Sequence, residues 1–132
     1  MTLPVYTHFC SISSIKTGKV LVCKSNIFKV NKNSLSIHAE KNAIICLLKK
    51  IKTGHIRQKE ISKGVHLFSY RLSQKGVIGN GKPCKACVQS MLKLSNLIKT
   101  VQWVDSQGET GNVIELVNIN INDHKKSNGD LW

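Results

Sequence analysis

Two short motifs constrain this chain more than any other feature: His-Ala-Glu at residues 38–40 and Pro-Cys-Lys-Ala-Cys at residues 83–87. Each motif lies where a helix is predicted to begin. Two helices that pack on one sheet can bring their N-terminal ends together, and the histidine and the two cysteines then meet. These are ligand types that a catalytic zinc ion takes, with a fourth position left for water. The motifs therefore predict an α/β fold built around one metal site.

The first helix is predicted from apolar residues that recur at helical spacing after residue 38. Either Ser34 or Ser36 is suited to cap its N-terminus, and Gly54 is suited to end it. This prediction puts His38 and Glu40 in the first turn of the helix.

The second helix is predicted to have Pro83 at its first position, where the missing N–H of proline is not needed. Its apolar residues continue at helical spacing as far as Ile98. Cys84 and Cys87 are then neighbours on one face of the first turn. Both metal-binding motifs are thus predicted at helix N-termini.

The remaining segments are predicted to be strands and loops. Residues 8–15 and 20–23 indicate a hairpin, and residues 64–72 indicate a central strand. Residues 100–104 and 112–117 indicate an antiparallel hairpin, because their connection is too short for a parallel return. The order β-β-α-β-α-β-β predicts a mixed five-stranded sheet with helices packed on it.

Length and composition favour one folded domain. The chain has 132 residues, of which 41% are hydrophobic. Residues 1–117 are predicted to form the domain, and residues 118–132 a polar C-terminal tail. No run of about 20 apolar residues is present, and the N-terminus lacks the pattern of a signal peptide. We expect an intracellular, cytoplasmic protein with no membrane partner.

The formal net charge of +13 favours an anionic partner. Only two of the twenty basic residues are arginine, the usual bidentate reader of bases and phosphates. A free nucleotide and a nucleic acid both fit this charge. Lysine-rich segments at residues 49–52, 57–63 and 82–93 are predicted to hold phosphates in the second case.

The five cysteines leave alternatives open. Cys10, Cys23 and Cys46 lie singly in apolar segments and are predicted to be small buried residues in a reducing compartment. The pair Cys84 and Cys87 can also form a redox couple. A structural zinc site would need a fourth ligand, which Cys23, Cys46 or another histidine can supply.

The predicted helix ends suit a catalytic site. A helix N-terminus carries partial positive charge, which lowers the pKa of a thiol and favours the thiolates that zinc needs. Glu40 lies two residues from His38 and is not needed as a ligand. It can therefore take a proton from a water molecule activated at the metal and return it to a substrate.

At these residues the chain resembles the cytidine/deoxycytidylate deaminase superfamily. His-Ala-Glu-Lys-Asn-Ala-Ile at residues 38–44 looks like the first motif of deoxycytidylate deaminase-like proteins, and residues 83–87 match the second motif of the superfamily. The resemblance covers approximately residues 8–117. It implies a cytidine deaminase-like three-layer fold, and it implies a homo-oligomer, because a neighbouring subunit often completes the sites of this fold.

The resemblance also implies roles for individual residues. The three metal ligands would bind one Zn²⁺ per chain, and Glu40 would move the proton. The backbone N–H of Ala39 would contact the base, and Asn26 would contact the sugar. Arg71 and Asn80, which flank the second motif, are further candidates for substrate contacts.

The expected activity is hydrolytic deamination of a cytosine-type base in a free nucleoside or nucleotide. Activated water attacks C4, and ammonia leaves. The chain lacks the Asn-x-Glu element of free-cytidine deaminases, whereas its closing hairpin is similar to that branch. The first motif and the closing hairpin thus point to different branches of the superfamily, and the substrate is open. A base in RNA or single-stranded DNA, held by the lysine-rich segments, is an alternative substrate. A second alternative is a non-catalytic binding module stabilised by zinc.

Overall fold

The computed structural model describes residues 6–28, 36–73, 78–105 and 107–124. Three short 3₁₀ helices accompany the strands and α-helices. The strands and α-helices are β1 (Tyr6–Ser14), β2 (Val20–Ser25), β3 (Ile27–Phe28), β4 (Ser36–Ile37), α1 (Ala39–Lys52), β5 (Val65–Ser73), β6 (Ile78–Gly79), α2 (Lys85–Leu92), β7 (Ile98–Trp103) and β8 (Ile114–Glu115). Neither α-helix of these described ranges has the length and hydrophobicity needed to cross a membrane.

The main sheet is mixed and has the strand order β2-β1-β5-β7-β8. Strands β5 and β7 are parallel, and α2 lies in the crossover between them. The other pairs in this order are antiparallel. This confirms the predicted mixed sheet with β5 at its centre. The short strand β6 adds a sixth member by pairing with β5, and β3 and β4 form a separate two-stranded ribbon.

Both helices pack on the same face of the main sheet. Alternate residues of β1 and β5 point to this face because side chains of a strand alternate between its two sides. One cluster of buried residues joins these strands to α1 and α2; it includes Ile12, Leu67, Leu47, Met91 and Val101. At about 1.5–3 kcal/mol for each fully buried large apolar side chain, this cluster is the main source of stability.

The opposite face of the sheet carries half-buried aromatic side chains. The rings of Phe9 and Tyr70 stack with their centroids 5.2 Å apart, and Phe68 lies beside Tyr70. Within the described ranges both helices contribute to the core on the other side. Between β8 and residue 124 the described chain forms two 3₁₀ helices, so these ranges show two layers, the sheet and the helices on one face, and the three-layer arrangement implied by the resemblance stays a prediction.

The first helix begins later than predicted. His38 is the N-cap of α1, with an extended backbone at φ −64° and ψ 150°. The prediction of Ser36 as the cap is wrong, because Ser36 pairs with Phe28 in the β3–β4 ribbon. The alternative cap, Ser34, lies outside the described residues. Of the two site residues, only Glu40 is in the first turn.

The second helix is shorter than predicted. Cys84 is its N-cap, so Pro83 precedes the helix and is not its first residue. The helix ends at Leu92, and Ile98 begins β7. Leu94 and Leu97, in the intervening turns, pack against the core. The spacing of apolar residues therefore continues past the end of the helix, because the two leucines in these turns are also packed against the core.

The closing hairpin is antiparallel, as predicted, but short. Thr100 pairs with Glu115 and Val101 with Ile114. The predicted strand over residues 112–117 is reduced to two residues, since a 3₁₀ helix begins at Leu116. The chain beyond it was predicted to be a surface tail. Within that segment, the described residue His124 contacts Pro83, as set out below.

Candidate metal centre

The two motifs meet at the N-terminal ends of α1 and α2. Nδ1 of His38 lies 3.3 Å from Sγ of Cys84 and 3.4 Å from Sγ of Cys87. The three donor atoms all lie within 4.8 Å of one another. His38 and Cys84 are the N-caps of their helices, whereas Cys87 is in the first turn of α2. The three residues can therefore hold a metal ion.

Among the described residues, the cluster has three members. All five histidines and all five cysteines of the chain lie in the described ranges, and none of the others joins this group. Cys23 is exposed, contrary to its predicted burial, and Cys46 is partly buried on α1. Cys10 is buried as predicted. Neither Cys23 nor Cys46 lies in the group, so neither supplies the fourth ligand that a structural zinc site would need.

The sulfur atoms favour a bound cation. A hydrogen bond from Cys87, together with the contact to His38, lowers the pKa of Cys84 to about 4. The hydrogen bond to Cys84 raises the pKa of Cys87 well above its ordinary value, and burial and the charge of Glu40 act in the same direction. Cys84 is thus the thiolate of the pair, and Cys87 keeps its proton and shares it with Cys84 in a hydrogen bond. A divalent cation can replace this proton and stabilise both thiolates.

Glu40 lies beside the cluster and is completely buried. Neither of its carboxylate oxygens has a hydrogen-bond partner among the described residues. Burial raises the pKa of Glu40 to about 7, and the charge of Cys84 acts in the same direction. It is not a member of the ligand group. A buried carboxylate is energetically costly unless another group donates a hydrogen bond to it, so Glu40 is suited to accept one from a water molecule or a substrate.

His8 is a component of this site that the sequence analysis missed. Its Nε2 lies 3.3 Å from Oε1 of Glu40 and 2.6 Å from Oγ of Ser69. Burial lowers the pKa of His8 to about 3, with smaller effects from the charges of Arg71 and His38. The imidazole is therefore neutral. The sequence does contain a sign of this position. His8 lies two residues before the buried Cys10, so both side chains point to the inward face of β1.

Ser69 connects this histidine to the loop before the second motif. Its hydroxyl donates a hydrogen bond to the carbonyl of Gly81 at 2.7 Å. The N–H of Gly81 donates to the carbonyl of Val104 at 2.8 Å. Gly81 is buried, and a Cβ atom there would lie 2.7 Å from the backbone of both Ser69 and Tyr70. The backbone at Gly81, two residues before Pro83, is thus packed closely against β5.

The predicted substrate residues have different positions. Ala39 is buried as the first residue of α1. Asn26 accepts a hydrogen bond from the N–H of His8 at 3.0 Å, and its own N–H donates to the carbonyl of His8 at 2.9 Å. Asn80 is exposed, and its side chain accepts from the N–H of Lys82 within the loop. Asn80 therefore has a turn-forming role, and no contact connects it to the cluster.

Arg71 is close to the centre of the site. It pairs with His8 across β1 and β5. Its positive charge lowers the pKa of both His8 and Glu40. Its Nε atom is buried and has no hydrogen-bond partner among the described residues. Of the predicted substrate residues, Ala39, Asn26 and Arg71 are therefore brought to the site.

The returning C-terminal segment contacts the second motif. His124 is 5% exposed, and its Nδ1 donates a hydrogen bond to the carbonyl of Pro83 at 2.7 Å. Its ring packs edge-on against Trp103, with centroids 5.5 Å apart. The sequence analysis missed this contact because the segment is polar. The carbonyl that immediately precedes Cys84 is thus fixed from outside the helix.

Comparison with protein-family models, with curated proteins and with solved structures finds no match for this chain.

Proposed function

We propose that this protein is a zinc-dependent hydrolytic deaminase that acts on a cytosine-type base in a free nucleoside or nucleotide. The observation that carries the proposal is a completely buried carboxylate without a hydrogen-bond partner beside a cluster of three ligands. A structural site has no use for such an acid. A hydrolytic site needs one to transfer protons.

The donor set supports zinc as the metal. Two thiolates and one imidazole are ligands that zinc prefers, and three protein ligands are typical of its catalytic sites. His38, Cys84 and Cys87 would hold one Zn²⁺ per chain. The bound metal would supply an activated water at neutral pH.

Glu40 would carry the protons of the reaction. Water adds to C4 of the base, and the bond from C4 to the amino nitrogen breaks. Glu40 would accept one proton from the water and deliver it to the ring nitrogen, where it stays; it would then take the remaining proton from the hydroxyl on C4 and deliver it to the leaving amine. The products are the 4-oxo base and ammonia, so atoms and charge balance. The burial of Glu40 keeps bulk water away from this transfer.

The test is ammonia release by zinc-loaded protein from a panel of nucleosides, nucleotides and short oligonucleotides. We expect release from a cytosine-containing compound. Glu40→Gln is expected to lower kcat by about 10²- to 10⁴-fold, as for loss of a general acid–base group, while zinc remains bound. Glu109→Gln is the control, because Glu109 is an exposed acid in the β7–β8 turn. Full activity of Glu40→Gln would contradict the mechanism.

A base in RNA or single-stranded DNA is the second candidate substrate. It is favoured by the exposed lysines of the predicted phosphate-binding segments, including Lys49, Lys52, Lys59, Lys63 and Lys93. Binding of an oligonucleotide should then fall steeply with salt concentration. Replacement of Lys49 and Lys52 by glutamine should reduce this dependence. Salt-insensitive turnover of small nucleotides would instead favour the free substrate.

The non-catalytic alternative has a clear signature in the same experiment. A binding module would bind zinc with the expected stoichiometry and release no ammonia from any compound in the panel. Glu40→Gln would then change neither zinc content nor ligand binding.

A further inference from the structure

The side chain of His8 occupies an unusual place for a histidine. It lies on the inward face of β1 and is 5% exposed. Its Nε2 atom is positioned between two acceptors, Oγ of Ser69 at 2.6 Å and Oε1 of Glu40 at 3.3 Å. The 3.3 Å contact does not meet the geometry of a hydrogen bond. A small rotation of the carboxylate would bring it into line.

The hydrogen bonds define which ring nitrogen carries the proton. The hydroxyl of Ser69 has one hydrogen, and it donates this hydrogen to the carbonyl of Gly81. Ser69 Oγ can therefore only accept from His8, so Nε2 of His8 bears a hydrogen. Because the ring is buried and neutral, it presents a single N–H donor to Ser69 and Glu40.

The backbone of His8 is fixed independently of its ring. Its N–H donates to the side chain of Asn26, and its carbonyl accepts from the N–H of Asn26. It is also paired with Arg71 in the neighbouring strand. The imidazole is therefore anchored on an interior strand of the sheet, β1, which pairs with β2 on one side and with β5 on the other. Such a donor can orient a neighbouring group without large motion of its own.

We propose that His8 is the positioning residue of Glu40, holding one carboxylate oxygen through its Nε2–H so that the other faces the reacting water. The proposal rests on the function proposed above. Without this contact, the carboxylate has no hydrogen-bond partner among the described residues that would select one rotamer. A neutral donor orients the carboxylate without neutralising its charge. His8 acts through Glu40 and touches no reacting atom.

The first test compares kinetics of zinc-loaded variants. His8→Leu removes the N–H, and kcat is expected to fall about 10- to 100-fold, as for a misplaced catalytic group, with KM and zinc content unchanged. His8→Gln, which can present an amide N–H, is expected to restore most of kcat. His66→Leu is the matched control, because His66 lies on β5 with its bonds directed to Thr100 and Gln102 of β7. Wild-type kcat in His8→Leu would overturn the proposal.

The second test needs no substrate. Long-range ¹H–¹⁵N spectra of the zinc-loaded protein at neutral pH should show His8 as the neutral Nε2–H form. The Nε2–H proton should shift in Glu40→Gln and remain unchanged in Glu109→Gln. An Nδ1–H form, or no response to Glu40→Gln, would overturn the proposal. Absence of ammonia release together with the expected spectra would overturn the proposed function and leave the His8–Glu40 contact established.

Discussion

Nδ1 of His38 lies 3.3 Å from Sγ of Cys84, although 46 residues separate the two in the sequence. Both residues are helix N-caps with extended backbones, and neither side chain makes a capping hydrogen bond. An N-cap side chain normally contributes about 0.5–2 kcal/mol by accepting from a free N–H of its helix. Neither helix thus gains this contribution from its N-cap side chain, and both side chains lie in the group that can hold a metal ion.

Cys84→Ser should therefore separate metal binding from helix stability. Serine is among the best N-cap residues, so the metal-free variant should gain about 1 kcal/mol in free energy of unfolding. The same change removes a ligand, and the bound zinc should be lost. Elemental analysis and chemical denaturation measure the two effects. Cys23→Ser, at an exposed cysteine outside the cluster, should retain zinc. Full zinc content in Cys84→Ser would show that other ligands hold the metal.

The burial of His8 should make the metal-free protein less stable in acid. Its pKa is about 3 in the folded protein, against 6.5 for an ordinary histidine. Between these values the unfolded chain binds a proton that the folded protein excludes. Stability should therefore be complete above pH 6.5 and fall as the pH decreases toward 3, by at most about 1.4 kcal/mol per pH unit.

Urea denaturation of the wild type and of His8→Gln across this range measures the effect. Glu40, whose pKa is raised, contributes with the opposite sign in both proteins, so the difference between them reports His8 together with its contact to Glu40. Parallel pH profiles for both proteins would rule out a buried neutral imidazole.

His124→Ala should weaken metal binding without removing a ligand. The change removes the hydrogen bond to Pro83 and the edge contact with Trp103. Groups that orient metal ligands typically contribute about 10- to 100-fold to metal affinity. We expect a loss in this range, measured by competition with a chromophoric chelator. His55→Ala is the control, since His55 is exposed and bonds to Thr53. Equal affinities would mean that this contact serves stability alone.

Gly81→Ala should be strongly destabilising. An added Cβ would lie 2.7 Å from the carbonyl oxygen of Ser69 and 3.0 Å from that of Val104, both backbone atoms that cannot rotate away. Overpacking of this kind costs about 1–3 kcal/mol, and the strain falls on the loop that leads to Cys84. Denaturation should be compared with Gly111→Ala, where the nearest atom is 3.6 Å away. Similar stabilities for the two variants would contradict the close packing at residue 81.

The ligands and their convergence could be predicted from the sequence because the necessary information is local. Each motif has its own spacing, and each is followed by a helical pattern of apolar residues. The central position of β5 also follows from its continuous run of strand-forming residues. The helix boundaries were less accurate. Backbone pairing of Ser36 and burial of Leu94 in a turn are tertiary effects that apolar periodicity does not contain.

The surroundings of Glu40 could not be predicted in the same way. His8 and Ser69 are 61 residues apart, and their contact depends on the antiparallel register of β1 and β5. A shift of one residue in that register would turn His8 to the other face of the sheet. The hydrogen bond between His124 and Pro83 likewise depends on how the chain turns back after β8. The residue pattern of one strand predicts which of its side chains are buried. It does not predict which residue of a distant strand lies opposite.

The separation of His38 from Cys84 has a consequence for how the protein matures. All of β5 lies between these residues, and its pairing with β1 and β7 is what brings the helix ends together. In small zinc-dependent domains the metal joins nearby ligands and drives folding. Here the chain has to complete its slow, non-local strand pairing before three ligands exist in one place. We therefore expect the group of three ligands to form only once the sheet has folded, so that a metal ion binds to a protein that is already folded.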